Sequence, residues 1–183
     1  MREISLHILD IVQNSIVAGA SLIGVSILEN SAEDILTVTI TDNGKGMSEE
    51  LVKSVIDPFT TSRTTRRVGL GIPLFKTAAE LTGGSFKIDS VLGEGTVVTA
   101  AFVRSSIDRQ PLGDIKGTML GLFTSYESID FVYTHELDRK VFKTDTRELK
   151  KILGGVSLSE PEVYLWLTEY LSEGERELLN ENI

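Results

Sequence analysis

Apolar residues at Ile4, Ile8, Ile11, Val12 and Ile16 recur at three- and four-residue spacings, the signature of one buried helix face, and Gly19 ends the run as a C-cap. At about 100° per residue, Glu3, His7, Asp10 and Asn14 fall within a band roughly 60° wide on another face, so something polar, or solvent, lies there. Residues 21–28 and 35–41 are rich in Ile, Val and Thr with partial alternation, and the polar break at 30–34 makes them a hairpin. Ser48-Glu49-Glu50 opens a short helix that ends before Pro58. Residues 58–68 carry Thr, Ser and Arg with almost no apolar residue and read as a long mobile loop. A helix over 74–81, stopped by Gly83-Gly84, leads into a second strand pair at 85–91 and 95–103.

The pattern therefore closes an α/β unit near residue 104. Asp108 to Gly113 combines charge, Pro and Gly without periodicity and predicts a linker. Beyond it a second module, residues 105–183, reads as helix at 115–124, hairpin at 131–134 with 141–143, helix at 146–153 and a last helix at 162–171. The tail is acidic, with Glu160, Glu162, Glu169, Glu173, Glu175, Glu177 and Glu181 against Arg176 alone, the mark of a solvated face. Tyr164, Leu165, Trp166 and Leu167 on the last helix serve either packing against the module's hairpin or an exposed partner surface.

Charge and composition narrow the function. Eighteen Lys and Arg against 27 Asp and Glu give a formal charge of −9, the wrong sign for a phosphate-backbone binder, so neither nucleic acid nor an anionic membrane is an expected partner. With no cysteine, a disulfide framework, a zinc knuckle and a thiol nucleophile are excluded together. Asp10, Gln13 and Asn14 interrupt the apolar N-terminus, which rules against a signal peptide or spanning helix there and makes a cytoplasmic location the expectation.

Asp42-Asn43-Gly44-Lys45-Gly46-Met47 follows an apolar strand. A carboxylate at a strand end, with glycines that let backbone approach a flat ligand, suits the exocyclic amine of adenine; the same hexapeptide also makes a good Asn-Gly hairpin turn. On the first helix the Asn14 amide oxygen is a candidate Mg²⁺ ligand, and Asp10 one turn earlier is placed to orient or deprotonate water, although a stripe facing water is the commoner fate of such residues. Arg63, Arg66 and Arg67 form the densest basic cluster, among hydroxyl residues and just before Gly69-Leu70-Gly71. Cations there can close over a triphosphate, and free amides at the helix start favour anions. Gly69, Gly71 and Leu74 do not complete a dinucleotide fingerprint.

Taken in order, Asp10-Ile-Val-Gln-Asn14, Asp42 to Met47, Asp57-Pro58-Phe59-Thr60-Thr61, Val68-Gly69-Leu70-Gly71-Ile72 and Gly93-Glu94-Gly95-Thr96 resemble the N, first glycine, F, second glycine and last glycine boxes of the GHKL ATPases. That family includes histidine-kinase catalytic domains, anti-sigma-factor serine kinases, DNA gyrase and MutL. The resemblance covers roughly residues 1–104 and implies an α/β (α+β) Bergerat fold, a two-layer sandwich of helices on a mixed sheet with ATP under a mobile lid. It also implies that Asn14 holds Mg²⁺, that Asp42 binds adenine N6 with Thr96 assisting through water, and that Gly44, Gly46 and Met47 shape the pocket. The lid, residues 59–71, contributes Phe59, Thr60, Thr61, Arg63, Gly69, Leu70, Gly71 and Ile72, with Arg63 on the phosphates and Asp10 as the base.

The chain departs from the family at three places. Asp10 stands where the family's ATPases and serine kinases usually have Glu and histidine kinases Asn; Val17 stands where histidine kinases commonly have a phosphate-contacting Lys; and the strand usual before the N box is lacking. No helical hairpin with a phosphoacceptor histidine precedes the N box, and His7 and His135 are the only histidines. The expectation is a stand-alone Mg²⁺-ATP-dependent kinase or ATPase acting on a separate, unidentified protein partner or phosphoacceptor. The competing readings are a nucleotide-controlled binding switch and a DNA-linked clamp, the latter weakened by the net acidity.

Overall fold

A computed structural model of the chain describes residues 3–57 and 70–179. Helix α1 (Ile4–Val17) buries Ile4, Ile8, Ile11 and Val12 as its apolar spacing requires. Ala18 is its C-cap and Gly19, at φ 77°, turns the chain into the sheet. Strands β1 (Leu22–Asn30) and β2 (Ile35–Asp42) form the expected antiparallel hairpin. Helix α2 (Glu49–Ile56) is capped by the Ser48 hydroxyl, which accepts from the Leu51 amide. Helix α3 (Gly71–Leu81) precedes β3 (Ser85–Val91) and β4 (Gly95–Val103), whose bounds match the sequence reading.

Residues 105–179, the described part of the second module suggested at 105–183, do not stand apart. After α4 (Ile115–Ser125), strand β5 (Asp130–Leu137) runs parallel to β1 along its whole length, and β6 (Lys140–Asp145) pairs with β5. One six-stranded sheet results, in the order β3-β4-β2-β1-β5-β6. Helices α5 (Thr146–Leu153) and α6 (Pro161–Leu179) complete the described residues. Helices cover one face of this mixed sheet, and a continuous core runs from Phe75 and Phe102 through Val25 and Ile27 to Phe123, Phe131 and Leu171. The physical reason is the edge of β1: left unpaired it would expose a row of backbone donors and acceptors beside apolar side chains, and β5 satisfies both.

The segment expected to be a linker is itself structural. The Pro111 and Leu112 carbonyls accept from the Ile4 and Ser5 amides at 3.0 and 2.9 Å, satisfying first-turn donors of a helix whose N-cap Glu3 makes no side-chain cap. The acidic tail is not uniformly solvated either. Helix α6 runs eight residues past the predicted end, and Glu175 on it is buried. Trp166 stacks on Tyr170, which packs on Phe142 of the β5–β6 hairpin, and Leu167 is buried, while Tyr164, Leu165 and Trp166 remain exposed.

Candidate functional site

The site forms where α1, the β2–α2 loop and the start of α3 meet over the helical face of the sheet. Asp42 ends β2 on the face that also carries Leu36, Val38 and Ile40, and strand register sets it opposite Thr96 of β4. Its two oxygens are held from below: Oδ1 accepts from the Gly44 amide at 2.8 Å and Oδ2 from the Ser15 hydroxyl at 2.6 Å. Both partners donate, so the fixed carboxylate keeps only acceptor capacity for a ligand. Thr96 Oγ1 lies 2.8 Å from Ser90 Oγ, which accepts from the Met47 amide and donates to the Gly95 carbonyl.

The loop reaches its shape because two glycines permit it. A Cβ at Gly46, where φ is +64°, would collide with the Val91 carbonyl oxygen, and one at Gly44 would come within 2.9 Å of Ala18 Cβ. Asn43 is committed to structure, its Oδ1 accepting from the Ser21 and Leu22 amides at 2.9 Å each. A pocket of about 200 Å³ opens above, with Asn14, Asp42 and Thr96 as polar contributors and Ile11, Met47 and Ile72 among its apolar walls. A flat apolar slot with one acceptor-only wall fits a purine carrying an amino group.

Asp10 lies outside this pocket, one turn before Asn14. A Cβ at Gly71 would come within 3.0 Å of Asp10 Cβ and 3.1 Å of its Oδ2, so the carboxylate packs against the first residue of α3. That helix start has no side-chain cap and no acidic residue in its first turn, and Pro73 removes one of the amides that would need a partner. The arrangement puts a carboxylate beside a helix end whose dipole favours anions. The Asn14 side chain makes no hydrogen bond to the described residues. Among the described residues no three His, Cys, Asp or Glu cluster as a metal cage. A lone amide oxygen suits Mg²⁺ that takes its remaining ligands from phosphates and water.

The structure thus gathers Asn14, Asp42, Gly46, Met47, Ile72 and Thr96 around one pocket, sets Gly44 beneath it, and places Asp10 and Gly71 next to it. Leu70 is exposed. Phe59, Thr60, Thr61, Arg63 and Gly69, with Arg66 and Arg67, lie outside the described residues. Sequence reasoning missed Ser15 and Ser90. Ser15 had a signal: it falls four residues after Ile11 on the apolar face, and a serine buried there needs a partner.

His7 shares the Asp10 side of α1 but is enclosed, its ring stacked on Phe75 at 5.1 Å and its Nε2 3.0 Å from Gln110 Oε1. Burial holds its pKa below the ordinary value. It supports the α1–α3 contact and does not line the pocket.

The family model described as "Histidine kinase-, DNA gyrase B-, and HSP90-like ATPase" matches residues 2–106. The chain belongs to this ATPase family. Among its relatives, Sensor histidine kinase ZraS of Salmonella typhimurium is 31% identical over 71 residues, which is 39% of this chain and 15% of that protein. Sporulation kinase D of Bacillus subtilis is 37% identical over 62 residues, 34% of this chain and 12% of that one. The chain therefore matches only a small part of the length of these kinases. The solved N-terminal domain of a DNA repair protein shares the fold at a TM-score of 0.55 and 15% identity, covering 79% of this chain and 52% of that one. The match spans the segments that carry the ordered boxes read from the sequence. Among the described residues, no helix is long and apolar enough to cross a membrane.

Proposed function

We propose that the pocket binds Mg²⁺-ATP and that the bound nucleotide is turned over, by hydrolysis or by transfer of its γ-phosphoryl group to another protein. The observation that carries this reading is the Asp42 carboxylate, locked by Ser15 and Gly44 as an acceptor at the wall of an apolar slot. Adenine N6 donates to it, and the Thr96 hydroxyl holds a water beside the base. The nucleotide's phosphates then extend along α1 toward Asn14 and the uncapped start of α3. Mg²⁺ held by Asn14 and the phosphates would neutralise charge during the displacement. Asp10 accepts the proton of the attacking water or protein hydroxyl, and catalysis is otherwise positioning.

Both histidines are 1% exposed and hydrogen-bonded inside the fold, so neither is presented to a bound nucleotide as a phosphoacceptor. A nucleotide-controlled binding switch with negligible turnover is the second reading. It is favoured by Val17, 72% exposed at the end of α1 where the family's histidine kinases commonly place a cation. The test is incubation with γ-phosphate-labelled ATP and host lysate, comparing the wild type with Asp10→Ala. A labelled protein or phosphate release that depends on Asp10 supports turnover. ATP binding without either signal leaves the switch.

A further inference from the structure

Ser90 of β3, Thr96 of β4 and Asp42 of β2 stand in one row of the sheet register, with Thr96 between the other two. Thr96 and Asp42 line the nucleotide pocket, and Ser90 lies behind Thr96. Ser90 Oγ has three neighbours at hydrogen-bond distance: the Met47 amide at 2.8 Å, the Gly95 carbonyl oxygen at 3.0 Å and Thr96 Oγ1 at 2.8 Å. A hydroxyl carries one proton and two lone pairs, and a carbonyl has no proton to give. Ser90 therefore donates to Gly95, and its lone pairs are left for the other two neighbours. It accepts from the Met47 amide and, by elimination, from the Thr96 hydroxyl. Only this assignment puts a proton in each of the three contacts.

The consequence falls on the pocket wall. Thr96 has spent its one proton on Ser90 and turns only lone pairs toward a ligand, as Asp42 does beside it. The neighbouring donors are spent as well: the Ser15 hydroxyl and Gly44 amide on Asp42, the Lys45 amide on the Ala18 carbonyl and the Met47 amide on Ser90. The side-chain donors of Asn14, on α1, and of the exposed Lys45 stand off this row. We infer that Ser90 is a positioning residue for base selectivity: by consuming the protons of Thr96 and Met47 it makes a wall that takes a 6-amino purine and rejects a 6-oxo purine. This rests on the reading of the pocket as a nucleotide site and adds the residue that fixes its choice of base. A threonine left free turns its hydroxyl to suit an amino or an oxo group, whereas an oxo group set against Asp42 and this Thr96 meets lone pairs on both.

The test compares dissociation constants of the full chain for ATP, purine riboside triphosphate, which has hydrogen at C6, and inosine triphosphate, which has an oxo group there. The wild type should bind them in that order of decreasing affinity, with ATP at least about a hundredfold ahead of inosine triphosphate. Ser90→Ala releases the Met47 amide and the Thr96 hydroxyl as donors, so the ratio of ATP to inosine triphosphate affinity should narrow about tenfold. A purely structural loss weakens both ligands alike and leaves that ratio where it was. Because Ser90→Ala can impair folding, Thr96→Val supplies a second test: it keeps the side-chain shape, suits a strand and removes the lone pairs without supplying a proton. It too should narrow the ratio, whereas a wider ratio means that Thr96 had been donating to the base. That widening overturns the inference, as does an unchanged ratio in a folded Ser90→Ala protein, or a wild type that binds inosine triphosphate as well as purine riboside triphosphate while still binding ATP. A wild type that binds none of the three overturns the nucleotide reading itself, and this inference with it.

Discussion

Asp42 and Ser15 show how much of the site is decided by single hydrogen bonds. Asp42→Ala removes the only carboxylate that lines the pocket among the described residues, so ATP should no longer raise the melting temperature; an unchanged shift in that variant would falsify the adenine assignment. Ser15→Ala removes a 2.6 Å charge-assisted bond but leaves the carboxylate in place. A bond of that class contributes about 1.5–3 kcal/mol to stability, so urea unfolding should show a loss of that order, and isothermal calorimetry should show weaker ATP binding because Asp42 is no longer held in place. Asp42 was legible in sequence because its neighbours Gly44 and Gly46 advertise a close backbone approach. Ser15 was passed over because a helix serine carries no motif of its own; only its burial against Asp42 gives it meaning.

Helix α6 is fastened to the sheet by a buried ionic network rather than by apolar contacts alone. His135 on β5 lies between Glu175 of α6, 2.7 Å from Nδ1, and Glu29 of β1, 3.1 Å from Nε2. Tyr133 donates to Glu175 at 2.6 Å, and Arg104 donates to Glu29 at 2.9 Å. Burial works against the imidazolium, but the hydrogen bonds to the two glutamates outweigh it and raise the His135 pKa from 6.5 to about 9. A raised folded-state pKa means that the folded chain holds a proton which the unfolded chain releases. The contribution to stability is therefore complete below pH 6.5 and is lost as pH climbs toward 9. The melting temperature should fall across that window, and His135→Gln should flatten the fall. His7 has the opposite sign: burial depresses its pKa, so its contribution is lost as pH drops below 6.5. Glu175→Ala leaves the buried imidazolium with Glu29 alone and the Tyr133 hydroxyl without its acceptor, and should cost about 3 kcal/mol in urea unfolding. None of this was legible in the tail's run of glutamates, because Glu175 looks like its neighbours until the turn of α6 aims it inward.

At the scale of the molecule, the family-matched segment and the folding unit differ. The match ends at residue 106, but the sheet continues through β5 and β6 and the core through α4 and α6. Ending the chain at residue 106 would uncover the β1 edge and strip away Phe123, Phe131 and Leu171. The shortened protein should aggregate or lose its cooperative thermal transition, and a sharp, reversible transition in it would show that the β1 edge needs no cover.

Taken by itself, the sequence determined most of the elements and the family. Periodicities of 3.6 and 2 are local, so α1, the β1–β2 and β3–β4 hairpins and α5 could be read from their own residues, and the ordered boxes from Asp10 to Thr96 identified the ATPase family. Only the tertiary structure decided that residues 105–179 join the same sheet, that Ser15 locks Asp42, and that Glu175 is interior. Each of these rests on contacts between residues far apart in the chain. A strand's alternation shows that it needs a neighbour, while the choice of neighbour depends on which unpaired edge and which apolar surface remain to be covered once the rest has folded.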